Sequence, residues 1–368
     1  MSEIDKVVGQ FQKEWGKEIG QKGVEVKHIR RVPTDIFQFD LATGGGWLRS
    51  RMNILYGPES SGKTNLALRA IRHVQKHCWE CDRPHEACIC TQGATRKVAV
   101  FIDVEHSYDS TWGQVLGIDN EALYLMEPVY AEQAVDMLDA VVQAEEVGIV
   151  VIDSVAAMVK HNTVASSSEK MEVSGSALLM SVMVRKMMAA LAIERKRGHD
   201  PCILCINQIR SKVGVIMGNP ETMPGGHSLR FNSCLTVRVS GKDENDKEIS
   251  ANVPAYKDTS AVIKKAKCPI VNQHFEYKIC LLPQDQLKVG DSPSWNTVSS
   301  YLKDYSMVGK MDNGKGWLCM GMDGVLEEYP TLKAIQTRYI EDLVFQGHLR
   351  NIVLARELAS PSLFEVPE

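Results

Sequence analysis

The segment Gly57-Pro58-Glu59-Ser60-Ser61-Gly62-Lys63-Thr64 constrains this chain more than any other stretch of it. It fits the pattern G-x-x-x-x-G-K-[ST]. The apolar run Asn53–Tyr56 precedes it and the helical stretch Asn65–Lys76 follows, so it sits where a strand turns into a helix. In that setting the glycines let backbone N–H groups wrap phosphate oxygens, and the helix N-terminus adds partial positive charge. Lys63 then reaches the β- and γ-phosphates, and Thr64 ligates Mg²⁺. A plain glycine-rich turn would explain Gly57 and Gly62 but not the Lys-Thr pair. ATP and Mg²⁺ are the expected cofactors, held by Gly57, Pro58, Glu59, Ser60, Ser61, Gly62, Lys63 and Thr64.

Further apolar runs read as buried strands: Val98–Asp103, Ile149–Asp153, Cys202–Asn207, Leu235–Val239 and Ala261–Lys264. Helical stretches such as Ala131–Ala144 and Ala177–Glu194 lie between several of them. This alternation predicts an α/β fold with a largely parallel sheet covered on both faces. Such sheets bind ligands beyond the carboxyl ends of their strands. Three of the runs end in polar residues, at Asp103, Asp153 and Asn207–Gln208, which points to a single site. Ile149-Val150-Val151-Ile152-Asp153 is a Walker B arrangement, with Asp153 in the magnesium shell. Glu105 is either a general base that polarises a water or a solvated loop acid. Gln208 offers an amide that can sense a γ-phosphate by gaining or losing a hydrogen bond.

A length of 368 residues suits one large domain and a smaller one. Beyond Pro269 the apolar runs shorten and Gly, Pro and Asn interrupt more often. That predicts a boundary there and a small C-terminal α/β domain. Near the start, Ile4, Val7, Val8, Phe11 and Trp15 fall at helical spacing. They predict an amphipathic helix that packs on a partner or on its own domain. The formal net charge of −4 argues against binding nucleic acid through bulk positive charge. Any DNA contact must come from local basic loops, multiplied by assembly. Residues 1–20 hold no signal-peptide core, and no apolar run reaches the roughly 18–20 residues of a membrane span. The cytoplasm is the expected compartment, and no membrane partner is expected.

Four of the 10 cysteines crowd into one stretch, Cys78-Trp79-Glu80-Cys81 and Cys88-Ile89-Cys90. They interrupt the path from the P-loop helix to the next strand. Four thiolates satisfy tetrahedral Zn²⁺, and C-x₂-C is the usual spacing of a zinc knuckle. The C-x-C half is tighter than usual, and His85 could replace one ligand. A structural zinc held by Cys78, Cys81, Cys88 and Cys90 is the expected role, with a redox switch as the minor alternative. Cys202, Cys205, Cys234, Cys268, Cys280 and Cys319 read as packing residues, and so does the stripe Met180, Met183, Met187.

Taken together, these residues resemble the RecA recombinase family. The P-loop matches in its interior letters as well. Phe101-Ile102-Asp103-Val104-Glu105-His106 is similar to the strand that carries the family's catalytic glutamate, and Val151-Ile152-Asp153-Ser154-Val155-Ala156-Ala157 to its Walker B segment. Ile206-Asn207-Gln208-Ile209-Arg210, Gly218-Asn219-Pro220-Glu221-Thr222 and Gly225-Gly226 look like its second DNA-binding loop. The cysteine-rich stretch is an insertion that the family usually lacks. By analogy such an insertion points to a phage lineage, whose compartment is the host cytoplasm.

The resemblance implies a P-loop RecA-type ATPase core over residues 33–268, with the zinc-binding insertion at 78–90. It adds an N-terminal helix and strand arm for oligomerisation at 1–32 and a C-terminal domain at 269–368. It implies a helical filament, ATP held between protomers, and pairing and exchange of single-stranded and double-stranded DNA. A single-strand-binding protein or a mediator is a further candidate partner. Glu105 becomes the general base, with Lys63 and Gln208 completing the catalytic set. Asp109 and Trp112 fall where the family contacts adenine, and Asn65 follows the P-loop Thr where another Thr is common. Lys264, Lys265 and Lys267 resemble lysines that act on a neighbour's nucleotide. The DNA loops fall at about 160–174 and 209–226. Ser181, Arg185, Arg210, Ser211, Lys212, Val213, Gly214, Met217 and Asn219 are the candidate DNA contacts. The first loop is Ser-rich and unlike the family's, and Leu178 stands where a basic residue is frequent. A non-catalytic mediator or paralogue that binds ATP, DNA and a partner recombinase is the alternative. A hexameric helicase or clock-type ATPase is disfavoured by Asn219-Pro220-Glu221.

Overall fold

The structure is a computed structural model that describes residues 2–16, 20, 22–23, 29–158, 174–211, 221–244, 255–283 and 287–358. Its centre is an eight-stranded sheet. In chain order the first strands and helices are α1 (Glu3–Trp15), β1 (Arg31–Val32), α2 (Phe37–Thr43), β2 (Trp47–Leu48), β3 (Met52–Gly57), α3 (Lys63–Lys76), β4 (Val98–Asp103), α4 (Ser110–Val115), β5 (Leu123–Met126), α5 (Ala131–Val142) and β6 (Val147–Asp153). There follow α6 (Ser174–Arg197), β7 (Cys202–Gln208), β8 (Arg210–Ser211), β9 (Glu221–Thr222), α7 (Gly226–Asn232), β10 (Leu235–Glu244), β11 (Tyr256–Ala266) and β12 (His274–Cys280). The large sheet has the order β12-β11-β10-β3-β7-β6-β4-β5. It is parallel from β10 to β5, and β11 and β12 close one edge in antiparallel fashion.

Strands buried on both faces have near-continuous apolar sequences, and β4, β6 and β7 are of this kind. Their side chains alternate between two cores. Ala99, Phe101, Ile149, Val151, Leu204 and Ile206 face one core, with Leu66, Ala70, Ile71 and Val74 of α3 above them. Val100, Ile102, Val150, Ile152, Ile203 and Cys205 face the other, beneath α5 and α6. The stripe Met180, Met183, Met187 is buried in this second core. Of the cysteines read as packing residues, Cys202, Cys205, Cys234, Cys280 and Cys319 are buried, and Cys268 is half-buried.

Two strands of the large sheet escaped the sequence reading. β5 is a short edge strand with its middle residues exposed, so it carries little apolar signal. β12 alternates exposed and covered positions and pairs with β11 from His274 to Cys280. The sheet therefore runs past Pro269, the boundary expected from composition. Beyond it lie α8 (Trp295–Asp304), the small antiparallel sheet β13 (Val308–Lys310), β14 (Trp317–Met320) and β15 (Leu326–Tyr329), then α9 (Leu332–Glu341) and α10 (Leu343–Leu358). These enclose a third core, which also takes Phe37 and Leu41 of α2. At the other end, α1 starts on a capping box between Ser2 and Asp5. None of its residues is buried, and Ile4, Val7, Phe11 and Trp15 stand exposed.

Gly57 ends β3 where another backbone passes close by. A Cβ there would lie 2.1 Å from the Val239 carbonyl oxygen, and a sheet backbone yields less readily than a side chain. Gly57→Ala is expected to cost at least about 1–3 kcal/mol, read as a lower urea midpoint. An unchanged midpoint would contradict this packing.

Candidate nucleotide site and cysteine cluster

Parallel pairing fixes which strand ends meet. Gly57 stands beside Gln208, and Asp103 beside Asp153, all at the carboxyl edge. The loop from Gly57 to Lys63 turns through positive φ at Ser60 and Gly62, and Gly62 caps α3. Lys63 is buried and lies across the loop, donating to the carbonyls of Pro58 (2.6 Å) and Gly57 (3.3 Å). Burial lowers its pKa against the attraction of Asp153, Glu105 and Glu59. The Thr64 hydroxyl donates to Asp153 Oδ2 at 2.7 Å. Burial, with Glu105 and Asp103 nearby, pushes the Asp153 carboxyl up to about 6 despite the Thr64 hydrogen bond and Lys63. Thr64 and Asp153 thus form a compact oxygen pair suited to a hard cation.

Glu105 reaches the same place from the neighbouring strand. Asp103 Oδ2 accepts from Ser107 N and Tyr108 N, both at 2.8 Å, and so folds the following loop back. The N–H groups of Val104 and Glu105 donate to Asp153 O. The exposed Glu105 carboxylate then accepts from Gln208 Nε2 at 2.8 Å and from the Ser154 hydroxyl. Sequence reasoning assigned no role to Ser154. Its place directly after Asp153 is the signal that was available. Next to Gln208, the buried Asn207 donates to Pro224 O at 2.8 Å and accepts from Gln208 N. β8 and β9 pair Arg210 with Thr222 and Ser211 with Glu221. A two-stranded base therefore begins two residues after Gln208.

The half-buried Trp112 donates through Nε1 to Asn65 Oδ1 at 2.9 Å, which joins an expected adenine contact to the residue that follows the P-loop Thr. Asp109 caps α4 by accepting from Thr111 N and Trp112 N. Lys264, Lys265 and Lys267 are not brought to their own P-loop. Leu235 pairs with both Asn53 and Ala266, so these lysines lie level with the opposite end of β3. There Lys265 Nζ donates to the carbonyls of Arg230 and Phe231, and Lys267 Nζ to that of Phe231, at the C-terminus of α7. On α6, Arg185 is exposed and its Nε donates to Ser181 O. Lys212, Val213, Gly214, Met217 and Asn219, and nearly all of the first expected DNA loop, lie outside the described residues.

The four clustered cysteines meet. Their Sγ atoms all lie within 4.8 Å of one another, with Cys78 to Cys90 at 3.8 Å and Cys81 to Cys88 at 3.7 Å. Tetrahedral bonds of about 2.3 Å give sulfur–sulfur edges of about 3.8 Å, so the set fits a zinc-sized ion. His85 is not in the set; its Nδ1 faces Arg96 at 3.0 Å. Trp79 plugs this knuckle into the core. Its indole donates to Asp200 at 3.0 Å, and the Arg49 guanidinium lies 3.4 Å over its ring. Arg30 binds both Asp200 and Glu80. His73 of α3, deeply buried, bridges Asp35 (2.8 Å) and Asp82 (2.7 Å). Burial opposes its charge, but Asp82 and Asp35 outweigh that and raise its pKa to about 10.

A family model described as the RecA N-terminal domain matches residues 2–83 and 85–280. The chain belongs to the RecA family. The match to this RecA-family model ends at Cys280, the last residue of β12 and of the large sheet. Protein RecA of Aquifex pyrophilus is 35% identical over 242 residues, 65% of this chain and 63% of that protein. Protein RecA of Bacillus subtilis (strain 168) is 38% identical over 241 residues, 64% of this chain and 62% of that protein. Protein RecA of Borrelia duttonii is 33% identical over 265 residues, 71% and 66% respectively. The chain thus spans less than two thirds of the length of each of these RecA relatives.

The raised pKa of Asp153 has a sign. A carboxyl whose folded pKa lies above its unfolded value adds stability below about 4 and loses it as pH rises through about 6. At neutral pH the ionised group is therefore a cost that a cation relieves. Asp153→Asn should stabilise the nucleotide-free chain near pH 7 by the order of 3 kcal/mol, while removing most of the added stability given by Mg²⁺ with ATP. Thermal melts with and without Mg-ATP check both. Equal Mg-ATP stabilisation in the variant would remove Asp153 from the metal shell.

Proposed function

We propose that this RecA-family protein is an ATP-dependent recombinase that forms a filament on single-stranded DNA and pairs it with homologous duplex. One observation carries the reading. The hydrogen bond from Gln208 to Glu105 joins the candidate water-activating acid to the strand that leads into the second DNA loop. Bound Mg-ATP would supply a phosphoryl group open to attack by water. The P-loop backbone would wrap its phosphates, Lys63 would exchange loop carbonyls for phosphate oxygens, and Thr64 and Asp153 would hold the metal. Glu105 would take the proton of the attacking water at a carboxylate oxygen. The Gln208 amide, which now donates to Glu105, would be free to turn to a γ-phosphate oxygen instead. The state of the nucleotide would therefore pass to the β8–β9 base.

Asn65, Asp109 and Trp112 would line the adenine side. The placement of Lys264, Lys265 and Lys267 away from their own P-loop suits action on a neighbour's nucleotide in a filament. Ser181, Arg185, Arg210, Ser211, Lys212, Val213, Gly214, Met217 and Asn219 are the proposed DNA contacts, with cations on phosphates and Val213 and Met217 between bases. The exposed apolar face of α1 suits the arm's role in assembly. Among the described residues no helix is long and apolar enough to cross a membrane. The proposed compartment is the cytoplasm.

Pairing of labelled homologous strands tests the function. The wild-type chain is expected to pair them with ATP. Glu105→Gln is expected to bind ATP and DNA but hydrolyse about a hundredfold more slowly. A wild-type chain that binds DNA and ATP without pairing would support the mediator reading instead. Hydrolysis at the wild-type rate by Glu105→Gln would remove Glu105 as the base.

The proposed metal is a structural Zn²⁺ on Cys78, Cys81, Cys88 and Cys90. The knuckle has too little core to order itself without one. Elemental analysis should find about one zinc per chain, lost in Cys81→Ser with Cys88→Ser while ATP binding persists. Metal well below that level in the purified wild-type chain would overturn it.

A further inference from the structure

A large cleft among the described residues lies away from the P-loop. It is a groove of about 1760 Å³ between the far half of α3, the cysteine knuckle and the C-terminal helices. Eleven Lys and Arg side chains line it against seven Asp and Glu, in a chain whose net charge is −4. The excess positive charge gathers around α3. Arg69 and Arg72 share one carboxylate, Asp291, at 3.3 and 3.7 Å. Lys76 and Lys288 are exposed and make no ion pair among the described residues. The heads of Arg72 and Lys76 converge on Gly117. A Cβ added there would lie 3.1 Å from Lys76 Nζ and 3.2 Å from Arg72 Nε. Arg72 Nε is itself buried with no hydrogen-bond partner among the described residues. Burial and the neighbouring Arg72, with Arg69 and Lys288, depress the Lys76 pKa against the attraction of Asp35. Like charges held this close are costly unless a counter-ion shares them.

Nearby acids supply only part of that counter-charge. Asp35 and Asp82 are taken up by His73, and Asp291 already serves two guanidinium groups. We infer that Arg72, Lys76 and Lys288 form a cradle for a phosphate-bearing ligand at the end of α3 remote from the nucleotide. The chemistry asks for several closely spaced anionic oxygens. A guanidinium and two ammonium groups fit phosphate oxygens better than a single carboxylate. A free polyphosphate and the phosphodiester backbone of a nucleic acid both have this chemistry. The ligand would bridge the P-loop helix to the Lys288 segment, and so couple it to the unit formed by α8, α9 and α10.

Inorganic tripolyphosphate is the probe, titrated by calorimetry into the full chain with the P-loop saturated by Mg-ADP, and also into the Lys63→Ala chain. Both are expected to take about one equivalent. The exposed pair Lys76→Glu with Lys288→Glu should weaken that binding at least about tenfold, since each charge-assisted bond to phosphate is worth more than a neutral one. Its unchanged ADP affinity would show an intact fold. Arg72→Gln, which also loses the Asp291 pair, should act in the same direction. A short DNA duplex then separates the sources. If it displaces tripolyphosphate, the cradle takes a nucleic-acid backbone; if not, it takes a free polyphosphate. No binding beyond the P-loop, or equal binding by the Lys76→Glu, Lys288→Glu chain, would overturn the site.

Discussion

Backbone pairing of β3, β7, β6 and β4 is the constraint on which the rest of the structure depends. Parallel register leaves no freedom at the carboxyl edge: once Gly57 is level with Gln208, and Asp103 with Asp153, the loops that follow must share one crevice. The apolar strands are buried on both faces, so a shift of one residue would move each side chain into the wrong core. The cost of such a slip holds the polar ends in place. A loop lysine, a hydroxyl, two carboxylates and an amide are gathered at one edge by hydrophobic register, not by attraction among the polar groups. Asp153 shows this, since its ionised form is disfavoured where it stands.

The knuckle follows a different logic. It is too short to bury a core, so it borrows one. Trp79 lies between the first two cysteines and is covered by Arg49 and Asp200 of the core. Asp82 reaches back to His73 of α3, and Glu80 to Arg30 at the root of the N-terminal segment. These ion pairs are partly shielded from water and fix direction more than they add stability. The insertion is thereby tied to the helix that the P-loop opens. α2 plays the matching role on the other side. With its cap residue Ile36 it gives Phe39 to the main core, and it gives Phe37 and Leu41 to the C-terminal one. The basic groove lies between these two attachments.

Local chemistry was legible in the sequence wherever it is contiguous. Gly57 to Thr64 announce a tight loop from strand to helix, the runs ending in Asp103 and Asp153 announce buried strands, and Cys78 to Cys90 announce a cluster of thiols. In each case the signal is a spacing that one element imposes on itself, through a turn, a two-residue pleat or a short loop of paired cysteines. The Met180, Met183, Met187 stripe was legible for the same reason. β12 and the boundary near Pro269 were not, because a half-covered edge strand has no continuous apolar run and its pairing partner is distant in sequence.

What the sequence by itself determined is the set of parts: a P-loop opening a helix, an α/β sheet, an acid at the end of each of two strands, and four cysteines close enough to share an ion. Only the tertiary structure decided which parts touch. It brought Ser154 and Gln208 to Glu105 and excluded His85 from the cysteine set. It also set Lys264, Lys265 and Lys267 at the opposite end of β3 from their own P-loop and gathered Arg72, Lys76 and Lys288 around one groove. The physical reason is that these relations run between elements. Strand order and register are set by the burial of the whole sheet, and no local pattern encodes them.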